Sequence, residues 1–207
     1  MSFPIGKLQK ADSVDVTYEF DGIPTLYDEY EGGEFKNWRQ NGVQGSIKFR
    51  EVFDSNFVLG GDFEIGASTM KIRGEKDPDK YVDLNVDLAI GYAFVNNGTV
   101  TLMLSAIAGV HHQKQSYSYS TYIDDSYQGI YLNVDGTSRY TAFEIGGELF
   151  VNFRFGDMVG LFASCKFVEN IGRITNIETA SIGDITTVYH KTTAFVVKPS
   201  VGVSFTF

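Results

Sequence analysis

The chain has 207 residues, of which 43% are hydrophobic, with 22 Gly, 17 Phe, 12 Tyr, only 4 Pro and a formal net charge of −9. That length suits one domain, 1–207, and the acidic balance argues against nucleic acid as a partner. Cys165 is the single cysteine, so no intramolecular disulfide or multi-cysteine metal site can form, and no cofactor or metal is expected.

No stretch approaches the roughly eighteen consecutive apolar residues of a transmembrane helix. A transmembrane β-barrel stays open, because its strands are only half apolar and averaging hides them. The start, Met1-Ser2-Phe3-Pro4-Ile5-Gly6-Lys7, lacks the apolar run of a signal peptide, so a barrel requires that an export signal preceded it.

From there the pattern is period two, with no sustained helical periodicity. It predicts strands over 12–21, 42–53, 57–73, 81–95, 99–121, 140–155, 159–175 and 186–207. The clearest, 81–95, sets Val82, Leu84, Val86, Leu88, Ile90, Tyr92 and Phe94 on one face and Asp83, Asn85, Asp87, Ala89, Gly91 and Ala93 on the other. At about 3.3 Å per residue and a tilt of ~40°, its apolar stripe covers roughly 30 Å of height, close to a bilayer's apolar thickness.

Asp54-Ser55-Asn56, Asn96-Asn97-Gly98 and Gly156-Asp157-Met158 read as tight turns, whereas the alternate connections 22–41, 74–80, 122–139 and 176–185 are longer and polar. Short and long connections alternating around an even number of strands describe an eight-stranded antiparallel up-and-down transmembrane β-barrel. Three-residue turns at 54–56 and 156–158 put Lys48 opposite Asp62 and Glu148 opposite Lys166, two lumen ion pairs. A three-residue turn at 96–98 places Val100, Leu102, Leu104, Ala106, Ala108 and Val110 towards lipid, although Asn97-Gly98 alone favours a two-residue turn with the opposite faces.

The polar faces also carry Asp15, Glu19, Arg50, Glu64, Asp83, Asp87, Glu144, Arg154 and Lys198. An eight-stranded barrel is just wide enough for side chains to fill it, so these charges should form a paired, plugging network. Aromatic residues divide by end. Phe53, Phe57, Phe94, Phe153, Phe155, Phe205 and Phe207 lie near the tight turns. Tyr18, Tyr81, Tyr117, Tyr119, Tyr122, Tyr127, Tyr131, Tyr140 and Tyr189 lie towards the long loops, as two interface girdles would.

The fifth strand runs on into Gln113-Lys114-Gln115-Ser116-Tyr117-Ser118-Tyr119-Ser120-Thr121-Tyr122, a Tyr/Ser-rich edge suited to standing in water. With Tyr127 and Tyr131 it is the candidate surface-binding element. The three histidines are weaker candidates. His111 and His190 fall on the inward face, and with Asp124, Asp125 and Ser126 they outline a conceivable rim hydrolase or acyltransferase. His111 and His112 point to opposite faces of a strand and cannot easily share a metal. Cys165 shares the lipid face of its strand.

The last strand ends on the stripe Val201, Val203, Phe205 and Phe207, with Pro199 earlier in it demanding a bulge or an interrupted ladder. This ending is similar to the carboxy-terminal signal read by the bacterial outer-membrane assembly machinery. With eight strands and three short turns, the chain resembles small outer-membrane barrels of the OmpA/OmpX and OmpW kind. The resemblance implies the bacterial outer membrane, contact with the lipid bilayer and lipopolysaccharide, and the assembly machinery as a partner at the C-terminal strand. It implies activity only loosely, since such barrels include anchors, adhesins, small-molecule conduits and lipid-modifying enzymes. The expectation is a non-enzymatic barrel whose long loops mediate adhesion or another surface interaction with a host or surface ligand. The alternatives are a small-molecule or ion conduit, a lipid-modifying rim enzyme, and a soluble lipocalin-like ligand binder.

Overall fold

The computed structural model describes residues 1–20, 22–34, 39–71, 79–123, 130–156, 158–181 and 183–205. All regular structure in these residues is β: β1 (Ile5–Lys10), β2 (Ser13–Phe20), β3 (Ile23–Glu31), β4 (Arg39–Val52), β5 (Phe57–Lys71), β6 (Asp79–Asn96), β7 (Val100–Ile123), β8 (Ile130–Arg154), β9 (Val159–Ala180) and β10 (Gly183–Phe205). From β4 to β10 each strand pairs antiparallel with the next in sequence. β1 pairs with β10 on one side and β4 on the other, which brings the pairing full circle through eight strands.

β2 and β3 stand outside that ring. They form a hairpin on the upper part of β10, where Asp184–His190 pairs with Ser13–Glu19. The expected first barrel strand, 12–21, is therefore corrected: Ile5–Lys10 closes the ring, and Ser13–Phe20 is raised above it. Three of the expected long connections are also largely strand. Part of 22–41 is β3, 130–139 begins β8, and within 176–185 β9 runs to Ala180 and β10 begins at Gly183. The strands beyond the ring form a raised wall on one side, ordered β7, β8, β9, β10, β2, β3, while β4, β5 and β6 stop lower.

Alternation sorts side chains as the sequence predicts. Along β6, Val82, Leu84, Val86, Leu88, Ile90, Tyr92 and Phe94 are exposed, while Asp83, Asn85, Asp87, Ala89 and Ala93 are buried. Each of the eight ring strands exposes large apolar side chains, among them Ile5, Ile47 (74% exposed), Phe63, Leu88 (67%), Leu104, Ile145, Phe167 and Phe195. A largely apolar exterior, interrupted by Lys7 and Glu169 on either side of Phe195, wraps a charged interior and inverts a water-soluble sheet protein. It is the exterior of a transmembrane barrel.

The turn registers also hold. Lys48 is opposite Asp62, Glu148 opposite Lys166, and the Phe53 and Phe155 amides donate to the Phe57 and Val159 carbonyls, both at 2.9 Å. At 96–98 the faces follow the six-residue apolar pattern. The ladder shifts between Ala93 and Val95, a bulge that leaves both Phe94 and Val95 outward.

Of the two accommodations expected for Pro199, a bulge is absent, since it sits in register opposite Cys165, and an interrupted ladder lies on its other side. Its carbonyl accepts from the Phe3 amide at 2.8 Å, so the missing N–H faces the seam with residues 1–4. There the pairing consists of isolated bridges at Ser2, and a lost donor interrupts little.

Candidate functional site

Side chains pack the lumen in three layers. Nearest the tight turns lies an apolar floor of Val58, Ala93, Met103 and Phe150, joined by Val52 and Phe162. The rings of Phe150 and Phe162 stack at 5.3 Å and 11°, with the Arg50 guanidinium 5.8 Å above the Phe150 centroid. Towards the raised wall, Leu8, Tyr140, Ala142, Ile174 and Ala194 form a second apolar layer, with Tyr189 against it.

Between them sits the charged layer. Lys166 Nζ lies 2.6 Å from Asp62, 2.6 Å from Asp87 and 3.2 Å from Glu64. Lys48 Nζ is 3.0 Å from Asp62 and 2.8 Å from Glu148, and Arg50 also pairs with both of those carboxylates. Lys198 bonds Glu144 at 2.6 Å and approaches Glu64 at 3.6 Å. Asp83 accepts from Ser68 (3.0 Å) and Gln44 (3.3 Å), and Asn85 bridges Asp87 (2.7 Å) and Glu144 (3.3 Å).

The predicted Lys48–Asp62 pair forms. The predicted Glu148–Lys166 pair does not, although the two residues are opposite in register. In so narrow a tube, long cationic side chains reach partners across the lumen, and Glu148 is taken by Lys48 and Arg50. Arg154 stays apart at the tight-turn rim, where its guanidinium donates to the Asn97 carbonyl.

The histidines do not converge. His111 is buried in the lumen, bonded to Asn170 at 2.9 Å and edge-on to Tyr140. His112 faces outward and bonds Thr141 at 2.9 Å. His190 corrects the expectation of an inward side chain. A ladder irregularity between Tyr189 and Thr192, with Lys191 at φ 46°, turns it away from Tyr189. On that outer face it bonds Asp15 at 2.8 Å, so Asp15 and Glu19 are not lumen charges. Asp124, Asp125, Ser126 and Tyr127 lie outside the described residues, as do the side chains of Tyr122 and Tyr131.

The tyrosines gather towards the wall as expected, yet Tyr81, Tyr117, Tyr140 and Tyr189 face inward rather than forming an upper girdle. At the other end Phe53, Phe57, Phe94, Phe153, Phe155 and Phe205 do face outward. Val201 and Val203 do too; Phe207 lies outside the described residues.

Above Val82, the last β6 residue paired to β7, the Tyr/Ser run of β7 pairs, among the described residues, only with β8. Tyr117 and Tyr119 stack 6.3 Å apart on its inner face, and the Tyr117 hydroxyl donates to Glu178 at 2.9 Å across Gly136. A Cβ on Gly136 would come within 2.1 Å of the Tyr117 ring, so glycine makes room for the contact. Burial, and then the hydrogen bond and charge of Glu178, raise the Tyr117 pKa above its ordinary value of 10.0. Gly136→Val should displace the ring and bring that pKa back towards 10.0. Absorbance titration of tyrosinate, with Tyr117→Phe identifying the signal, checks this; an unchanged titration would contradict it.

No family model matches the chain, and no curated relative does. Similar solved structures include the outer membrane protein OprG from Pseudomonas aeruginosa, at 11% identity and a TM-score of 0.47, covering 100% of this chain and 95% of that one. The translocator domain of the autotransporter NalP from Neisseria meningitidis is 12% identical with a TM-score of 0.35, over 100% and 89% of the two chains. The outer membrane protease OmpT from Escherichia coli is 11% identical with a TM-score of 0.34, over 99% and 96%.

Proposed function

We propose that the protein is a non-enzymatic barrel of the bacterial outer membrane, closed to solute flow by its own side chains and acting through its raised wall and surface loops. The observation that carries this reading is the three-layer lumen: an ion-pair layer with side chains 0–5% exposed lies between two apolar layers. Moving an ion through it would require separating several desolvated pairs at once. The non-enzymatic part is supported by the histidines, whose bonded partners are Asn170, Thr141 and Asp15 on different faces.

Lipid and lipopolysaccharide meet the exterior, and the stripe Val201, Val203, Phe205 and Phe207 is the part offered to the assembly machinery. A surface or host ligand meets the wall edge around Tyr117 and Tyr119. Reconstitution into planar bilayers tests closure: the expected result is a membrane without steady single-channel currents, and reproducible unitary conductance would replace this reading with the conduit.

A further inference from the structure

Immediately above the apolar belt, one stretch of the exterior collects cations that no carboxylate among the described residues pairs. Val110, Phe143 and Ile171 are mutually opposite on β7, β8 and β9 and form the last apolar row. The next outward row is His112, Thr141 and Arg173; the row above it sets Lys114 directly opposite Arg139. Opposite positions on one face have Cβ atoms about 5 Å apart and diagonal ones about 7–8 Å, so Lys114, Arg139 and Arg173 are close neighbours. Lys80, outward on β6, flanks them.

Like charges directly opposite destabilise a sheet unless something answers them. The exterior ion pairs at this rim are elsewhere: Lys10 and Lys191 with Asp12, and His190 with Asp15. Among the described residues no carboxylate bonds Lys114, Arg139 or Arg173; the nearest acids on their strands, Asp135 and Glu169, are each four residues away. Higher still, Arg139 opens into a cleft of about 660 Å³ with Ser116, Ser118, Asp135, Thr137 and Thr179 along it. These are small hydroxyls and one carboxylate, with Ile177 and the Tyr117 ring as apolar surface beside them.

We propose that this strip is the docking site for a phosphorylated glycolipid of the surrounding leaflet. The order of surfaces up the wall follows that ligand's own order. Acyl chains lie against Val110, Phe143 and Ile171, the phosphate sits among Lys114, Arg139 and Arg173, and the sugar hydroxyls enter the cleft to meet Thr137, Ser118 and Asp135. Arginine forks bind phosphate oxygens bidentately, and the adjacent bilayer lowers screening of the contact. A free anion would leave the apolar row and the cleft unused, and a zwitterionic phospholipid would leave most of the positive charge unanswered.

This rests on the membrane reading above. The test uses the folded full chain in uncharged detergent with lipid A, a phosphorylated acylated disaccharide, as the probe. Its dephosphorylated form, phosphatidylethanolamine and millimolar inorganic phosphate are the comparison arms, and bound lipid is read by native mass spectrometry. The wild type should retain lipid A at least about tenfold more tightly than the dephosphorylated form or phosphatidylethanolamine, and inorganic phosphate should not displace it. Lys114→Gln/Arg139→Gln/Arg173→Gln should lose that preference while keeping the gel-mobility shift of a folded barrel, and Lys7→Gln should keep both. Arg139→Gln alone replaces the triple variant if the latter fails to fold.

Equal retention by the variant, equal retention of the dephosphorylated lipid, or displacement by inorganic phosphate would overturn the site. A wild-type chain that does not fold in detergent at all would instead overturn the membrane reading.

Discussion

Lys166→Met should cost about 3–5 kcal/mol of folding stability, the usual penalty for removing one partner from a buried ionic cluster. Lys166 is fully buried and holds Asp62, Asp87 and Glu64 together; without it three carboxylates crowd a space that water cannot easily enter. The layer already has the buried carboxylates Asp62, Glu64, Asp83, Asp87, Glu144 and Glu148 against the cations Lys48, Arg50, Lys166 and Lys198. Removing a cation therefore deepens an existing excess, whereas Asp87→Asn, of nearly the same shape, reduces it and should change stability by less than about 1 kcal/mol.

Lys48→Ala and Glu148→Ala should also destabilise, but by less than Lys166→Met, since each removes packed volume and ion pairs across the lumen while the partners left behind keep Arg50, Asp62 or Lys166. Urea unfolding of the barrel in lipid vesicles measures all four variants. Equal stability of Lys166→Met and wild type would refute the network.

The second large effect is on the outside. Leu88 is 67% exposed near the middle of the apolar stripe of β6. If lipid covers it, Leu88→Lys should cost about 2–4 kcal/mol, the penalty for a lysine at the bilayer midplane. In water the same change would be nearly neutral and would raise solubility. Lys80→Glu, on the same face above the belt, should cost little, so depth along one strand decides the sign of the argument. Refolding yield and urea midpoint in vesicles distinguish the two outcomes.

What the sequence made legible depends on whether the two faces of a strand meet different surroundings. Within the belt they do, lipid outside and charge inside, so the alternation over 81–95 and the pairs Lys48/Asp62 and Glu148/Lys166 were readable as faces and registers. Above the belt the outer face meets water instead of lipid, and in β2 both faces are half-exposed, so alternation no longer separates two different surroundings. That is why Ser13–Phe20 passed for a barrel strand, Ile23–Glu31 for a loop, and the inward tyrosines for a girdle.

The site was legible to the level of which charges enter the lumen, not which of them pair. Register fixes neighbours on adjacent strands, while lysine and arginine reach across a narrow tube. The bulge at Phe94 and the turned His190 left no local mark either, because one extra residue in a strand is set by the ladder it joins. The row Lys114, Arg139 and Arg173 could be found only once the registers of β7, β8 and β9 were known, since the three lie far apart in sequence.

Everything above depends on the apolar belt facing lipid. A nitroxide on a cysteine at position 88, with Cys165 replaced by serine, tests it directly in vesicles through relaxation by oxygen, which concentrates in the bilayer, and by a water-soluble nickel chelate. Strong relaxation by oxygen and almost none by nickel is expected at position 88, with nickel dominant at position 118 on the raised wall. A label at position 88 relaxed mainly by nickel, on a chain that stays monomeric without detergent, would contradict it.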